Sequence, residues 1–340
     1  MKAKVNVAIV GATGAVGGVL IELLGKRDFP VDQVFLLASE RSAGKRLQFR
    51  GKSVRVELLE EFDFAQVQIG LFSAGGDISA EYAPKAAAAG CVVIDNTSQF
   101  RYDEDVPLIV PEVNGHRIVE HKQRNIIANP NCSTIQMVVA LKPIYDAVGI
   151  ERVNVATYQA VSGAGARAIR ELAGQTADLL NAKPVKVDVL PTQIAFNAIP
   201  HIDQFQENGY TKEEMKLVWE TRKIFEDDSI QVNPTCVRVP VFFGHSEALH
   251  IETGAPITVS EVRKLMRKAP GVVLMDAAQD NGYPTAVGDA AGNDAVYVGR
   301  IRQDISHPRG INLWVVSDNV RKGAALNSVQ IAEDLLQSGG

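Results

Sequence analysis

Cysteine is scarce in this chain: its 340 residues hold only Cys91, Cys132 and Cys236. An odd count that low argues against a disulfide framework and turns attention to the reactivity of single thiols. No uninterrupted apolar run approaches the roughly 20 residues of a membrane span. The opening Met1-Lys2-Ala3-Lys4 leads directly into an alternating apolar run that is too short for a secretory leader and has no cleavage-like site. Long basic runs are absent and the net charge is only −5, so a nucleic-acid role has little support. Internal repeats and low-complexity segments are missing too. These absences leave a cytoplasmic globular protein, with no membrane, nucleic-acid or metal partner expected. Hydrophobic residues at 46% and charged residues at 22% fit that class. The length exceeds what one core usually organises, so two domains are expected.

What is present alternates. Val5 to Val10 reads as a buried strand, followed by a glycine-rich turn and a helical pattern through Leu20, Ile21, Leu23 and Leu24. Further strands are read at Val34 to Leu37, Val67 to Phe72, Cys91 to Ile94 and Asn125 to Ala128, with a helix over Tyr82 to Ala89 and another running to about Val148. Strands alternating with helices imply a parallel, doubly wound sheet. Beyond that the pattern changes. A long strand spans Arg152 to Val161, a helix Ala166 to Leu180, and Asn208 to Asp227 is charged and helical. Strands are read at Val237 to Val241, Ala248 to Thr253 and Asn312 to Ser317, with longer connections between them. The fold class is therefore α/β, with an N-terminal Rossmann-type, doubly wound domain over 1–130 and a second, α+β domain over 131–319. The tail, residues 320–340, reads as a helix that returns to the first domain.

Gly11, Gly14 and Gly17 lie between the first strand and the first helix. A turn there without Cβ atoms lets backbone N–H groups approach a pyrophosphate, and the helix N-terminus adds a favourable dipole. The spacing is G-x-x-G-x-x-G, a variant of the dinucleotide fingerprint; an ordinary βα turn is the plainer alternative. Where NAD-binding chains place Asp or Glu after the second strand, this chain reads Ser39-Glu40-Arg41-Ser42. Arg41 with the hydroxyls of Ser39 and Ser42 suits a 2′-phosphate, so NADP is the expected cofactor. Glu40 counts against this if it points inward.

Cys132 follows Asn129-Pro130-Asn131 and precedes Ser133-Thr134 at a strand-to-helix junction. A thiol there has its thiolate stabilised by the helix dipole and free N–H groups, which makes a nucleophile at neutral pH. Cys91 and Cys236 fit the alternative of a buried structural cysteine better. A thiolate attacking an aldehyde gives a hemithioacetal; hydride leaves, a thioester remains, and a second nucleophile releases the acyl group. An acid/base group is needed. His245, where an apolar run meets Gly244, is the best candidate among six histidines, with His250 and His201 as rivals.

Taken together these residues resemble the aspartate-semialdehyde dehydrogenase family over nearly the whole chain. The blocks are VAIVGATGAVG, ASERSAGK, NTSQFR ending at Arg101, NPNCST around Cys132, YQAVSGAGARA from Tyr158, EEMK from Glu213, RVPVFFGHSEALHIE from Arg238, and SDNVRKGAALN. The resemblance implies Cys132 as nucleophile, His245 as acid/base group and Gln159 beside the cysteine. It implies Arg238 for the substrate α-carboxylate, Glu213 for the α-amino group, and Arg101 with Lys216 for the phosphate. Cofactor positions carried over are Gly11, Thr13, Gly14, Ala15, Val16, Arg41, Ser42, Ser162, Gly163 and Asn319. The implied reaction interconverts 4-aspartyl phosphate and aspartate 4-semialdehyde plus phosphate, with NADP. That places it in the biosynthesis of lysine, threonine, methionine and diaminopimelate. A homodimer built through the second domain is implied, with the active site at the domain junction. Plainer readings stand beside these. Glu213 and Lys216 could pair only with each other, Gln159 could end a strand, Asn319 could cap a helix, and Ser162 to Gly165 could be a turn. N-acetyl-γ-glutamyl-phosphate reductase shares this chemistry and domain plan, but would not require a free α-amino group. A non-catalytic NADP-binding paralogue is the rival of another class.

Overall fold

The structure, a computed structural model, describes residues 4–277, 279 and 281–337. The last three residues of the tail segment, 338–340, lie outside the described residues. The chain divides into two compact units: Met1–Asn131 with Ala324–Gly340, and Cys132–Gly323.

The first unit contains β1 (Val5–Val10), α1 (Ala15–Lys26), β2 (Val31–Ala38), β3 (Arg46–Phe49), β4 (Lys52–Leu58), β5 (Ile69–Phe72), α2 (Gly76–Ala88), β6 (Val92–Asp95), the single turn α3 (Pro111–Asn114) and β7 (Ile126–Ala128). Its sheet runs β3-β4-β2-β1-β5-β6-β7. Every described pairing is parallel except the β3–β4 hairpin. Strands covered on both faces must be apolar throughout, and β5 (IGLF) is buried at every position. The returning helix Leu326–Gln337 belongs to this unit. Arg27 grips its Glu333 through two hydrogen bonds of 2.7 Å, and Asn327 donates to Ile109 O and Asn129 Oδ1.

The β3–β4 hairpin is absent from the sequence reading. Its signal was the Arg50-Gly51 pair, whose φ values of +48° and +75° make the tight turn that matches strand twist. The flanking runs are short and mostly polar, so periodicity alone did not announce them.

The second unit contains α4 (Cys132–Val148), β8 (Ile150–Gln159), α5 (Ala166–Leu180), α6 (Lys212–Phe225), β9 (Gln231–Arg238), β10 (His245–Thr253), α7 (Val259–Lys268), β11 (Val272–Leu274), β12 (Val296–Gln303) and β13 (Gly310–Ser317). Its sheet order is β11-β12-β13-β10-β8-β9. Helix α4 packs on β8, β10, β12 and β13, which buries Ile135, Met137, Val138 and Leu141. Helix α6 starts at a reciprocal cap between Thr211 and Glu214 and packs on β9. Glu214 also accepts the Cys236 N–H at 3.0 Å.

The sequence places a strand over Val237 to Val241; the structure starts β9 at Gln231 and ends it at Arg238. Pro234 stands inside β9, which is at the sheet edge, where a missing N–H is tolerated. After Arg238 the chain leaves the ladder, since Pro240 cannot donate and Val241 N–H turns back to Val239 O. The sequence reading also lacks α7 and β12, which lie in a stretch it treated as connection.

Gly17 meets a hard limit. A Cβ at this position would lie 2.3 Å from Gly11 O. Gly17→Ala should therefore destabilise the chain by about 1–3 kcal/mol, read as a lower midpoint in urea. An unchanged midpoint would show that the turn relaxes freely.

Candidate active site

Within the first unit, Gly11 (φ +87°) turns the chain off β1, and a Cβ there would come 2.9 Å from the Ser73 carbonyl group. Gly14 caps α1, so Ala15 and Val16 open the helix with unsatisfied N–H groups. These residues border a cavity of about 260 Å³ lined by Gly11, Thr13, Gly14, Arg41, Ser42 and Tyr82, among others. The Ser42 hydroxyl receives Thr13 Oγ1 and Lys45 Nζ, each at 3.3 Å. Lys45 was not singled out in the sequence; its signal was a second cation three residues after Ser42. Glu40 is exposed and is not among the lining residues. A cradle closed to Cβ atoms, at the C-terminal end of parallel strands and the start of a helix, fits a dinucleotide pyrophosphate. Also in this unit, Arg101 is buried and donates from Nη2 to Asn96 O at 2.9 Å.

In the second unit, Cys132 is the first residue of α4 and half-buried. Gly323 packs against it so closely that a Cβ there would lie 2.7 Å from Cys132 Cβ. The other thiols are of a different kind. Burial pushes Cys91 up to about 12, and burial followed by the Glu213 charge pushes Cys236 well above its ordinary value. Neither is a nucleophile at neutral pH.

The strand register collects the remaining candidates. Gln159 on β8 pairs with Arg238 on β9, and Tyr158 pairs with Ser246 on β10. One step further along, His245 stands beside Gln159, so Arg238, Gln159 and His245 form one row on the buried face. Strand parity separates the histidines. His250, five residues on, points to the opposite face, where Asn154 and Asp304 hold its ring. His201 stacks on Phe205.

Each member of the row is fixed. Gln159 accepts from Thr157 Oγ1 at 2.9 Å and donates to Glu213 Oε1 at 3.0 Å. Glu213 Oε2 receives Lys216 Nζ at 2.9 Å, and Lys216 also reaches Asp203 Oδ2 at 2.8 Å. Burial opposes the Lys216 charge, but Glu213 and Asp203 outweigh it and hold the ammonium above its ordinary range. Asp203, at φ +69° in a loop, carried no sequence signal. Arg238 donates from Nη1 to Ala160 O at 2.8 Å. Burial lowers its pKa, opposed by Glu213 and by Cys132, which is close enough for their charges to interact.

His245 is fully buried, and its Nδ1 accepts the Ala160 N–H at 3.0 Å. A backbone amide can only donate, so Nδ1 carries no proton and the neutral ring holds its hydrogen on Nε2. Nε2 has no hydrogen-bond partner among the described residues. A Cβ on Gly163 would sit 3.4 Å from it and 3.1 Å from Arg238 Nη1. Burial, reinforced by the Arg238 charge, depresses this imidazole to about 3. Ser162 and Asn319 bond to each other at 2.9 Å, and Asn319 Oδ1 receives the Gly244 N–H at 2.9 Å. The helix-cap role belongs instead to Asp318, which accepts from Val320 N and Arg321 N.

Residues 6–121 match the family described as semialdehyde dehydrogenase, NAD binding domain, and residues 141–322 match semialdehyde dehydrogenase, dimerisation domain. The chain is 65% identical to aspartate-semialdehyde dehydrogenase 2 of Vibrio cholerae over 337 residues, 99% of each chain. It superposes on the crystal structure of aspartate semialdehyde dehydrogenase II from Vibrio cholerae complexed with ASA with a TM-score of 0.97, covering 98% of this chain and 99% of that one. The Candida albicans aspartate semialdehyde dehydrogenase with NADP is 26% identical, with a TM-score of 0.77 and 98% of each chain covered.

The depressed imidazole has a signed consequence. Between about 3 and the ordinary 6.5 the unfolded chain binds a proton at His245 that the folded chain refuses. Stability contributed by this group is therefore full above 6.5 and falls as pH drops, by up to about 1.4 kcal/mol per pH unit. Urea melts from pH 7 to 4 should show a shallower decline for His245→Asn than for the unaltered protein. Parallel declines would place the proton elsewhere.

Proposed function

The chain belongs to the aspartate-semialdehyde dehydrogenase family, and from that premise we propose that it catalyses the NADP-dependent reductive dephosphorylation of 4-aspartyl phosphate to aspartate 4-semialdehyde, with the phosphorylating oxidation as the reverse. The observation that carries the reading is the thiol at the first residue of α4 in a cluster with Arg238, Gln159, Glu213 and a neutral His245. Arg238 offers a planar fork to an α-carboxylate, and Glu213 a carboxylate to an α-ammonium. Arg101 and Lys216 supply the cationic charge that a phosphate needs.

In the reductive direction Cys132 thiolate attacks the acyl carbon, the C–O bond to phosphate breaks, and a thioester forms. The helix N-terminus and the nearby Arg238 charge stabilise the thiolate, so no separate base is needed to generate it. NADPH, when bound, supplies the hydride that reduces the thioester. The resulting oxygen anion needs a hydrogen-bond donor, and Nε2–H of His245 is one in its resting state. The acid/base role read from the sequence thus narrows to its donor half, because Nδ1 is already taken by Ala160. Collapse of the hemithioacetal returns the thiolate and releases the aldehyde.

NADP rather than NAD is supported by Arg41 and Ser42 in the lining of the glycine cradle, by Lys45 on the Ser42 hydroxyl, and by Glu40 lying outside that lining, although Glu60 is part of it. The pathway is the biosynthesis of lysine, threonine, methionine and diaminopimelate, in the cytoplasm. A homodimer is supported by the sheet face opposite the catalytic row, where Tyr158 and Trp314 pack at 5.6 Å and Tyr158 stays 38% exposed. Glu213 favours a free amino group over the N-acetylated substrate of the related reductase.

A phosphate-dependent assay with aspartate semialdehyde, run with NADP and with NAD, tests the reading. Cys132→Ala should lose about 10⁴-fold or more in turnover; full activity would remove the thioester. Arg41→Ala should raise the NADP KM about tenfold or more while leaving NAD within about twofold. An equal loss with both cofactors would remove the 2′-phosphate contact.

A further inference from the structure

Asp203 has no part in the mechanism above, yet it is the second carboxylate on Lys216. Its Oδ2 receives Lys216 Nζ at 2.8 Å, beside the 2.9 Å bond from Lys216 to Glu213 Oε2. The two carboxylates differ in origin. Glu213 lies three residues before Lys216 on α6, and its other oxygen receives Gln159 Nε2. Asp203 comes from the segment between α5 and α6, which is braced on both sides of it. On one side Ile199 and Arg238 exchange backbone hydrogen bonds of 2.9 and 2.8 Å. On the other, Lys212 N–H reaches Gln204 O and Gln206 N–H reaches Tyr210 O, each at 2.7 Å. Between these braces Asp203 turns the chain at φ +69°, and its Oδ1 accepts the Gln204 N–H at 2.9 Å. One carboxyl oxygen therefore holds the turn, and the other meets Lys216.

The Lys216 side chain is only 12% exposed, and an ammonium in such a place needs a counter-ion to keep its proton. Burial works against the charge; Glu213 and Asp203, the charged groups that face it among the described residues, outweigh burial. Glu213 is also the group assigned above to the substrate α-ammonium. Once it serves that second cation, Lys216 has to rely on its other partner. Asp203 is suited to stay behind, because its place is set by the braced turn and not by α6. Its side chain is 31% exposed against 7% for Glu213, so it retains more hydration and carries its charge more easily. Burial would raise the Asp203 carboxyl, but Lys216 outweighs it and holds the group below the usual carboxylate range.

We propose that Asp203 is a positioning residue for phosphate capture: it is the counter-ion that keeps the Lys216 ammonium charged and in place while Glu213 is engaged by the amino group of the substrate. Asp203 touches neither substrate nor cofactor and acts only through Lys216. Its effect is therefore confined to the anion that Lys216 serves, and it grows as the solution becomes more alkaline.

The proposal rests on the reading of Lys216 as a phosphate group and Glu213 as the ammonium partner, and its test separates the two. Asp203→Asn removes the charge but tolerates positive φ and keeps an oxygen for the Gln204 N–H, so the turn is retained. In the phosphate-dependent oxidation of aspartate semialdehyde, Asp203→Asn should raise the phosphate KM about tenfold. The KM for the aldehyde should stay within about twofold, and kcat at saturating phosphate within about threefold. The ratio of variant to unaltered phosphate KM should widen about threefold or more from pH 7.5 to 9, since the neutral amide no longer holds the Lys216 proton. A loss of turn structure would instead disturb both substrates and leave that ratio flat, and either result overturns the proposal. Asp203→Asn/Lys216→Ala should bind phosphate no worse than Lys216→Ala, because Asp203 acts only through Lys216; losses that add would refute it. A phosphate KM raised in Lys216→Ala but unchanged in Asp203→Asn would sink this proposal and leave the assignment of Lys216 standing. A phosphate KM unchanged in Lys216→Ala would remove that assignment, and the role of Asp203 with it.

Discussion

The hydrogen bond from Ala160 N–H to His245 Nδ1 is the constraint on which the rest of the second unit's chemistry depends. A main-chain amide does not change its sign with pH, so it fixes which ring nitrogen is bare. That bond exists only while β8 and β10 keep their antiparallel register. A slip of one residue would turn Ser246 inward and carry His245 to the open face. The register is protected by burial: Leu249 and Ile251 occupy the same face further along β10 and are nearly inaccessible. Packing energy, distributed over a strand, is thereby converted into the protonation pattern of one imidazole.

The same logic accounts for the company His245 keeps. Residues two apart on a strand share a face, and residues in register on neighbouring strands stand side by side. Arg238, Gln159 and His245 occupy one row across three strands; Cys236, Thr157 and Glu247 occupy the next. The first row carries the groups proposed to meet a substrate. The second offers support, with Thr157 orienting Gln159 and Glu247 facing the underside of α4. Burying Arg238 is costly on its own, and the nearby Glu213 offsets part of that cost. Gln159, locked at both ends, keeps the Glu213 carboxylate from drifting toward the guanidinium.

Legibility followed how local each signal was. The glycine turn and Cys132 could be read from sequence because a strand, a turn and a helix start are consecutive in the chain. Local pattern put His245 first, where an apolar run meets Gly244, but left His250 and His201 as rivals, and separating them is not a local matter. It needs the start of β10, and that boundary depends on where β9 lets the chain go after Arg238. Gln136 looks like one polar residue on an apolar helix, and nothing nearby in sequence says that it faces His245 and Glu247, more than a hundred residues later. Asp203 and Lys45 were missed for a related reason. Each becomes informative only through a partner, Lys216 and Ser42 respectively. The β3–β4 hairpin shows the converse case, a local signal in Arg50-Gly51 that periodicity overlooked because the strands are short and polar.

The ionic arrangement also constrains what this cluster can accept. Arg238 and Lys216 face Glu213 and Asp203, and His245 is neutral, so the four formal charges cancel before the thiol ionises. An amino-acid moiety entering as a zwitterion brings no net charge, so it can exchange partners with Arg238 and Glu213 without leaving an unpaired ion in a poorly solvated place. A phosphoryl group is different, because it adds negative charge. Lys216 is already shared between two carboxylates, and it can serve a phosphate only by loosening one of those bonds. In the proposed reaction Glu213 is the partner that the substrate ammonium would occupy. Binding of the amino group would thus free Lys216 for the phosphate, coupling recognition of the amino-acid end to capture of the anion through one carboxylate.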